Sequence, residues 1–285
     1  MKKAALFPDL IKYRLSLAVT FSAVTGYFVS GRYSTGSFFF LVTGIFILTC
    51  GAAALNQYTE KDIDARMERT KNRPVPAGRI RPETALAVSI ILIISGSLLL
   101  GICGVIPFIL GLLSVFIYNI VYTRLKRITL FSIIPGALVG ALPPMIGFAS
   151  SGAEMPGKEI ILFSSFMFLW QVPHFWLILI RNREDYLRAG FRTFSSSFPE
   201  YVIRLLVFGW ALMTTLSLII LSAAGVALTG IFNYILIGLN IFFILMFYSL
   251  LFSKEKTVSV KMAFMLINSF SLAIMILFIL DAVLK

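Results

Sequence analysis

The sequence predicts an all-α integral membrane protein, a polytopic bundle of about nine transmembrane helices, and three observations support that fold class. Of 285 residues, 59% are apolar and 13% are charged, against roughly 25% charged residues in soluble domains. The apolar residues form runs of about 20, the length that crosses a hydrocarbon layer of roughly 30 Å. These runs follow one another so closely that residues 1–285 are expected to form a single transmembrane domain.

The predicted spans are separated by short polar or glycine-containing loops. They fall near 14–31, 36–58, 84–104, 106–123, 129–150, 159–182, 201–226, 230–252 and 260–282. A turn between Gly101 and Pro107 must separate the third span from the fourth, because hydropathy alone would merge them. The first span follows a basic start and has no small-residue cleavage pattern, so we interpret it as a helix and not as a removed signal.

Lys and Arg residues are concentrated in alternate loops. They are dense before the first span and after the second, fourth, sixth and eighth spans, whereas the opposite loops carry Arg32, Lys158 and Lys285. The positive-inside rule therefore predicts a cytoplasmic N-terminus and an external C-terminus. The membrane is expected to be a bacterial cytoplasmic (inner) membrane. Membrane topology and contact with membrane lipids explain the formal charge of +12, so nucleic acid is not expected as a partner.

The cytoplasmic end of the second span carries a possible metal site. If the helix continues through this stretch, Asn56, Glu60 and Asp64 recur at every fourth position and form one stripe of oxygen ligands. Hard cations such as Mg²⁺ prefer oxygen ligands and often bridge to substrate phosphates. The alternative is a solvated helix end with ordinary ion pairs, which suits Asp62 and Arg66. Glu60 and Asp64 favour the metal site, since like charges one turn apart repel unless a cation lies between them.

Basic and phenolic side chains near two cytoplasmic span ends are candidates for binding phosphate. Arg69 and Arg73 follow the acidic stripe, and a guanidinium can hold phosphate oxygens in a bidentate manner. Tyr122 and Lys126 lie one turn apart at the end of the fourth span, where they could hold a diphosphate leaving group. The alternative for these residues is lipid contact and an aromatic belt at the membrane interface.

The sixth span contains His174, the only histidine in the chain. Gln171, His174, Ile178, Arg181 and Asp185 fall on one helical stripe that runs from mid-membrane to the cytoplasmic rim. An ionisable group inside a bilayer is a functional candidate, and imidazole is a common ligand of haem iron. Arg181 and Asp185 could instead form a simple ion pair. Because all these groups lie on one side, they suit a substrate with a diphosphate head and a hydrocarbon tail.

At these residues, and over nearly the whole chain, the sequence resembles the UbiA superfamily of intramembrane prenyltransferases. The run from Asn56 to Asp64, with the Arg-Pro that begins at Arg73, is similar to that family's first Asp-rich motif. Tyr122-Thr-Arg-Leu-Lys126 resembles its Tyr-x-x-x-Lys element, and the Pro-Pro within 141–147 resembles its Pro-Pro segment.

The sixth span resembles one branch of that superfamily most specifically, the branch that prenylates haem. The similar stretches are Leu169-Trp-Gln-Val-Pro-His174 and Glu184-Asp185-Tyr186. Relatives that act on quinone precursors generally carry an aspartate near the His174 position. The chain departs from the branch at Tyr13, where a Lys-Pro-Arg motif usually has proline, and at Phe191-Arg-Thr-Phe, which replaces Pro-Met-Leu-Pro.

The resemblance implies an enzyme that transfers a farnesyl group from farnesyl diphosphate to a vinyl group of haem b, giving haem O, with Mg²⁺ as cofactor. It implies metal ligation by Asn56, Glu60 and Asp64, and a second acidic site formed by Glu184 and Asp185. The residues implied to bind or activate the two substrates are Arg69, Arg73, Tyr122, Lys126, Gln171, His174, Arg181 and Asp185. His174 would contact haem either as an iron ligand or through a hydrogen bond. A haem A synthase or a terminal oxidase is the implied protein partner.

Two other functions remain open from the sequence. One is prenylation of an aromatic quinone precursor such as 4-hydroxybenzoate. The other is a transporter or a lipid-binding membrane protein without catalysis, although transporters more often place their polar groups near the bilayer midplane.

Overall fold

The computed structural model describes residues 6–190, 198–226, 228–253 and 256–285. Eight helices in this part of the chain have at least 18 residues and are apolar enough to cross a membrane, and the first helix has 17 residues. The nine are α1 Tyr13–Val29, α2 Thr35–Thr59, α3 Pro82–Cys103, α4 Val105–Leu125, α5 Ile133–Ser150, α6 Lys158–Arg181, α7 Glu200–Leu221, α8 Ile231–Leu251 and α9 Lys256–Leu284. The all-α prediction is confirmed, and each predicted span corresponds to one helix.

The nine helices form a closed ring in which each helix packs against the next. The last helix, α9, also contacts α1, which closes the ring, and α5 crosses the middle to pack on both α1 and α6. The described residues form three apolar clusters: a larger one among α5 to α9, a smaller one among α1, α2, α3 and α5, and a third around Leu10, Ala54, Val75 and Ala85. The space enclosed by α1, α2, α4, α5 and α6 is left for a ligand.

Glycines allow the closest helix contacts. A Cβ atom on Gly147 of α5 would overlap the carbonyl oxygen of Ala23 on α1, and one on Gly26 would overlap the backbone of Pro144. Small residues at such positions let two helix backbones touch, which is the usual means of association where burial from water supplies no driving force between helices. The α1–α5 contact therefore fixes one wall of the enclosed space.

The predicted turn between the third and fourth spans is confirmed at Gly104. α3 ends at Cys103 and α4 begins at Val105, with a single residue between them. Gly104 has a φ of 142°, a backbone conformation that side-chain-bearing residues rarely adopt. The glycine therefore lets two membrane-length helices reverse direction without a loop.

The short loops assemble at opposite ends of the bundle in alternation. At one end, Arg32 donates to the Gly152 carbonyl over 3.2 Å, and the Tyr33 hydroxyl donates to the Ala282 carbonyl over 3.3 Å. These contacts bring the α1–α2 loop, the α5–α6 loop and the C-terminus together. The basic loops lie at the other end. The predicted departure at Phe191-Arg-Thr-Phe lies outside the described residues.

Candidate active site

A cavity of about 270 Å³ lies between α1, α2, α4, α5 and α6, at the end of the bundle that carries the basic loops. Its deeper walls are apolar and include Ile45, Leu48, Val115 and Pro143. Leu15 of α1 lines the cavity and is 46% exposed, so the cavity opens beside α1 toward the outside of the bundle. The polar lining residues gather at the loop end.

The predicted oxygen ligands Asn56, Glu60 and Asp64 all line this cavity and are buried. α2 ends at Thr59 and a short helix, Lys61–Asp64, follows, so the helix is interrupted at Glu60 and does not continue unbroken. The Glu60 amide still donates to the Asn56 carbonyl over 3.0 Å, and the Asp64 amide donates to the Glu60 carbonyl over 2.8 Å. These two bonds keep the helical spacing across the break, which is why all three side chains reach the cavity.

Both cavity carboxylates form ion pairs with basic side chains from elsewhere in the site. Lys126 Nζ lies 2.5 Å from Glu60 Oε1, and Arg73 Nη1 lies 2.6 Å from Asp64 Oδ2. The Glu60 and Asp64 side chains are 4% and 6% exposed. A buried carboxylate needs such a partner, since an unpaired one costs several kcal/mol. The predicted phosphate binders Arg73 and Lys126 thus meet the predicted metal ligands in one cluster.

Lys12 belongs to the same cluster, although its sequence context predicted no more than a topological charge. Its Nζ donates to Asn56 Oδ1 over 2.8 Å, and Asn56 Nδ2 donates to Glu60 Oε2 over 2.8 Å. Lys12 has a φ of 47°, which is uncommon for a residue with a side chain and is found at functional sites. Removal from water, together with the nearby Arg73 guanidinium, lowers the pKa of Lys12 to about 7. Lys12 is the first residue of the motif in which Tyr13 replaces proline, and this motif was the one sequence signal that could have indicated a role for it.

The charges around the cavity do not balance. Four basic side chains line it, from Lys12, Arg69, Arg73 and Lys126, whereas Glu60 and Asp64 are the acidic ones. An excess of positive charge in a low-dielectric cavity favours a ligand that carries several negative charges. Within the described ranges, no three His, Cys, Asp or Glu side chains are grouped as a metal site. The donor set available to a cation is therefore two carboxylates and the Asn56 amide oxygen, which are the hard ligands that Mg²⁺ accepts.

Asp185 and Glu184 lie outside the cavity lining. The Asp185 carboxylate accepts hydrogen bonds from the backbone amides of Glu68, over 3.1 Å, and Arg69, over 3.0 Å. It therefore ties the end of α6 to the loop that carries Arg69, which lines the cavity mouth. Glu184 is exposed and lies 3.5 Å from Arg188. The structure does not bring either residue to Glu60 and Asp64, and their roles as metal ligands stay predictions.

The residue after Asp185 does reach the cavity. Tyr186 lies in the short helix Arg183–Arg188 and lines the cavity near Arg69. Burial raises the pKa of its phenol, so the hydroxyl stays protonated at neutral pH and can donate a hydrogen bond. Tyr186 belongs to the stretch Glu184-Asp185-Tyr186 noted in the sequence, which predicted no role for it.

Aromatic rings form one wall of the cavity. Tyr118 and Tyr122 lie in a π-helical turn, Ile117–Tyr122, within α4, and their ring centroids are 6.0 Å apart. Tyr122 also stacks on Phe175, with centroids 5.8 Å apart, and Lys126 Nζ lies 5.5 Å from the Tyr122 ring centre. Turns of this kind are frequent at functional sites. The predicted pair Tyr122 and Lys126 is present, and Tyr118 is an addition that the sequence did not indicate.

The predicted polar stripe of the sixth span reaches the cavity only in part. Gln171 and His174 line the cavity, and His174 Nδ1 lies 2.9 Å from Asn268 Oδ1 on α9. Arg181 is the last residue of α6, does not line the cavity and lies over the Phe264 ring, 5.7 Å from its centre. Gln171 packs against Gly140, where a Cβ atom would meet its side chain. Three of the five residues of the stripe, Gln171, His174 and Ile178, therefore face the same space as the charged cluster.

Together, the fold and the cavity define a class of protein: a membrane-embedded protein whose pocket has apolar walls and an oxygen-rich, positively charged end. Such a pocket suits an amphiphile with a polyanionic head. A family model described as the UbiA prenyltransferase family matches residues 19–270. The chain belongs to the UbiA prenyltransferase family and is an intramembrane prenyltransferase, an enzyme that spans the membrane several times. Membership of this family excludes the non-catalytic transporter that the sequence left open.

Three curated relatives share one name. The protoheme IX farnesyltransferase of Geobacter sulfurreducens is 38% identical over 223 residues, which cover 76% of this chain and 81% of that one. The protein of the same name from Oleidesulfovibrio alaskensis is 39% identical over 193 residues, covering 67% and 68%. That of Christiangramia forsetii is 30% identical over 284 residues, covering 96% and 92%.

Solved structures share the fold at low sequence identity. A digeranylgeranylglyceryl phosphate synthase structure matches with a TM-score of 0.80 at 14% identity over all of both chains. A UbiA homolog from Archaeoglobus fulgidus, bound to GPP and Mg²⁺, matches with a TM-score of 0.70 at 15% identity over 97% of each chain. These likenesses establish the arrangement of the helices.

Proposed function

We propose that this enzyme transfers a farnesyl group from farnesyl diphosphate to a vinyl group of haem b, with Mg²⁺ as the cofactor. The single observation that carries the proposal is that His174 lines the same cavity as the acidic and basic cluster. One cavity thus offers an imidazole, which suits an iron porphyrin, and a charged end, which suits a diphosphate. The shared name of the curated relatives supports the same pair of substrates.

The charged end fits a metal-bound diphosphate. Mg²⁺, when bound, neutralises part of the diphosphate charge and links it to the protein, and Asn56, Glu60 and Asp64 are the residues that would hold it. Arg73 and Lys126 would turn from these carboxylates to the diphosphate oxygens, so that the leaving group gains the two cations as its charge develops. Lys12 and Arg69 add further positive charge at the same end.

At carbon, the reaction breaks the allylic C–O bond and the vinyl π bond, and it forms one C–C bond and one C–O bond. The allylic C–O bond breaks and the diphosphate leaves with the electron pair. The π electrons of the haem vinyl group then form a C–C bond to the farnesyl carbon, and water captures the cation left beside the porphyrin ring and loses a proton. The faces of Tyr118, Tyr122 and Phe175 would stabilise the allylic cation, since aromatic rings attract cations by about 1–2 kcal/mol when water is excluded.

The size of the cavity limits how the substrates fit. At about 270 Å³ it lies just below the usual range of ligand pockets, so it would hold the diphosphate and the reacting carbons. The hydrocarbon tail would leave beside Leu15, where the cavity opens on the lipid-facing side of α1. Apolar walls also exclude bulk water from the reacting carbons, which protects a carbocation from premature hydrolysis. We place the enzyme in a bacterial cytoplasmic membrane, with the charged end of the cavity facing the cytoplasm.

The test is prenyl transfer by the purified enzyme. Labelled farnesyl diphosphate is supplied with either haem b or 4-hydroxybenzoate, and the product is analysed by mass. We expect a labelled haem that carries both the farnesyl group and a hydroxyl, and its formation should stop when a chelator removes Mg²⁺ and resume when Mg²⁺ is restored. A labelled benzoate without a labelled haem would overturn the assignment of the acceptor.

Two carboxylate variants serve as matched controls. Asp64→Ala should abolish transfer, because it removes a cavity oxygen ligand and leaves Arg73 without its partner. Asp62→Ala changes an exposed carboxylate two residues away and should retain activity. Turnover by the Asp64 variant in the presence of chelator would refute the assignment of the metal ligands.

A further inference from the structure

The side chain of Asn268 has its orientation fixed by the backbone of its own helix. Asn268 Nδ2 donates to the carbonyl of Phe264, one turn earlier in α9. A carbonyl oxygen can only accept a hydrogen bond, so the atom facing it must be the amide nitrogen. The other terminal atom of Asn268 is therefore the oxygen, and this is the atom that meets His174.

That orientation determines the tautomer of His174. Asn268 Oδ1 lies 2.9 Å from His174 Nδ1 and can only accept, so Nδ1 must carry the hydrogen. In a neutral imidazole the second nitrogen, Nε2, then has a free lone pair. Nε2 makes no hydrogen bond to the part of the chain that the structure describes, and His174 lines the cavity.

The plane of the imidazole is also held in place. The rings of Trp170 and Phe264 each have their centroid 5.1 Å from that of His174, at interplanar angles of 42° and 39°. Trp170 is itself anchored to α9, because its Nε1 donates to the Ile267 carbonyl over 2.9 Å. Two rings and one amide thus fix the direction in which Nε2 points.

We propose that Asn268 is a positioning residue that holds His174 in the Nδ1–H tautomer, so that Nε2 serves as an axial ligand of the haem iron. The inference rests on the proposed function, because it takes haem b as the acceptor. It separates the two roles open to His174: an Nε2 lone pair can ligate iron but cannot donate to a haem propionate. Hydrogen bonding of the second ring nitrogen is the common means by which proteins orient a metal-binding histidine.

The experiment measures haem binding by the full-length enzyme, apart from its turnover. Haem b is titrated into detergent-solubilised wild type, Asn268→Leu and Asn268→Asp, and the Soret band and the iron–histidine stretch in the resonance Raman spectrum are recorded. Asn268→Leu should weaken haem binding about 10- to 100-fold and diminish the histidine signature. Asn268→Asp keeps an acceptor for Nδ1–H and should retain haem binding and a histidine-ligated iron.

Two controls separate positioning from a loss of folding. Asn240 of α8 is a buried asparagine that likewise donates to the carbonyl one turn earlier, over 3.0 Å, but it does not contact His174. Asn240→Leu should bind haem as the wild type does. Imidazole added to His174→Gly should restore the axial-ligand spectrum, and adding Asn268→Leu to that variant should cause no further change, because the residue that it positions is gone.

The possible outcomes are distinct. A wild-type haem spectrum in Asn268→Leu, or equal damage by Asn268→Leu and Asn268→Asp, would overturn the positioning role. If the wild type prenylates haem but shows no histidine-ligated iron, the axial ligation fails while the proposed function stands. If the wild type neither binds nor prenylates haem and prenylates 4-hydroxybenzoate instead, the axial ligation and the proposed function are both overturned.

Discussion

The ammonium of Lys12 donates a hydrogen bond to Asn56 Oδ1 over 2.8 Å, and this bond joins the start of α1 to the end of α2 at the mouth of the cavity. Asn56 in turn donates a hydrogen bond to Glu60, so one chain of hydrogen bonds connects a cation, an amide and a carboxylate. A residue to which the sequence assigned only a topological charge is in this way part of the charged cluster.

Replacing Lys12 tests whether this contact matters for catalysis. Lys12→Met should lower turnover about 10- to 100-fold, because a hydrogen bond to a charged group contributes about 1.5–3 kcal/mol. Lys71→Met is the matched control, since Lys71 is an exposed lysine that lies 2.6 Å from Glu68 outside the cavity. The initial rate of prenyl transfer is the measurement. Wild-type turnover in Lys12→Met would show that Lys12 contributes only to the orientation of the chain in the membrane.

A second prediction follows from the hydrogen bonds that Asp185 accepts from the loop containing Arg69. Asp185→Asn should cost one of two backbone hydrogen bonds, since an amide nitrogen cannot accept from a backbone amide, and turnover should fall about tenfold, equivalent to about 1.4 kcal/mol. The Mg²⁺ concentration that gives half-maximal activity should stay the same. A large rise in that concentration would instead identify Asp185 as a metal ligand. Asp62→Asn, at an exposed position, controls for loss of charge.

The contact between α1 and α5 predicts an effect on stability. Gly147→Ala should lower the thermal midpoint in detergent, because its Cβ would overlap the Ala23 carbonyl oxygen and overpacking costs about 1–3 kcal/mol. Gly209 is a glycine of α7 with open space around it, so Gly209→Ala should be neutral or slightly stabilising. An unchanged thermal midpoint for Gly147→Ala would show that α1 and α5 can move apart without loss of stability.

Membrane orientation can be tested with single cysteines. In a chain that has Cys50 and Cys103 replaced by Ala, the cysteine of Glu154→Cys should react in intact cells with a maleimide that cannot cross the membrane. That of Lys71→Cys should react only after permeabilisation. Both positions are exposed, at opposite ends of the bundle. The reverse pattern would invert the topology inferred from the loop charges.

Much of the fold was predictable because the bilayer imposes a simple rule on sequence. In an α-helical bundle each crossing segment is a long apolar helix, so hydropathy located the spans, and the glycine and proline residues between Gly101 and Pro107 marked the turn between the third and fourth. The grouping of Asn56, Glu60 and Asp64 was also predictable, since their spacing at every fourth position brings them to one face. The interruption at Glu60 was not visible, because it depends on how the following loop packs.

Contacts between distant helices were beyond sequence reasoning. Asn268 lies 94 residues from His174, and Asp185 lies 117 residues from the Glu68 amide that it binds. No spacing rule connects such pairs, and a single buried asparagine looks like any other polar residue in an apolar helix. Packing of α9 against α6 creates the first contact, and packing of the short helix Arg183–Arg188 beside the loop between α2 and α3 creates the second.

The ion pairs of Glu60 with Lys126 and of Asp64 with Arg73 mean that the resting protein carries its own counterions. A metal entering alone would face cations that had lost their carboxylates, and a pyrophosphate entering alone would compete with carboxylates that still hold those cations. Their joint arrival would give both carboxylates a cation and both basic side chains an anion. We therefore expect the metal and the pyrophosphate to be taken up as one complex, and to be released in the same way.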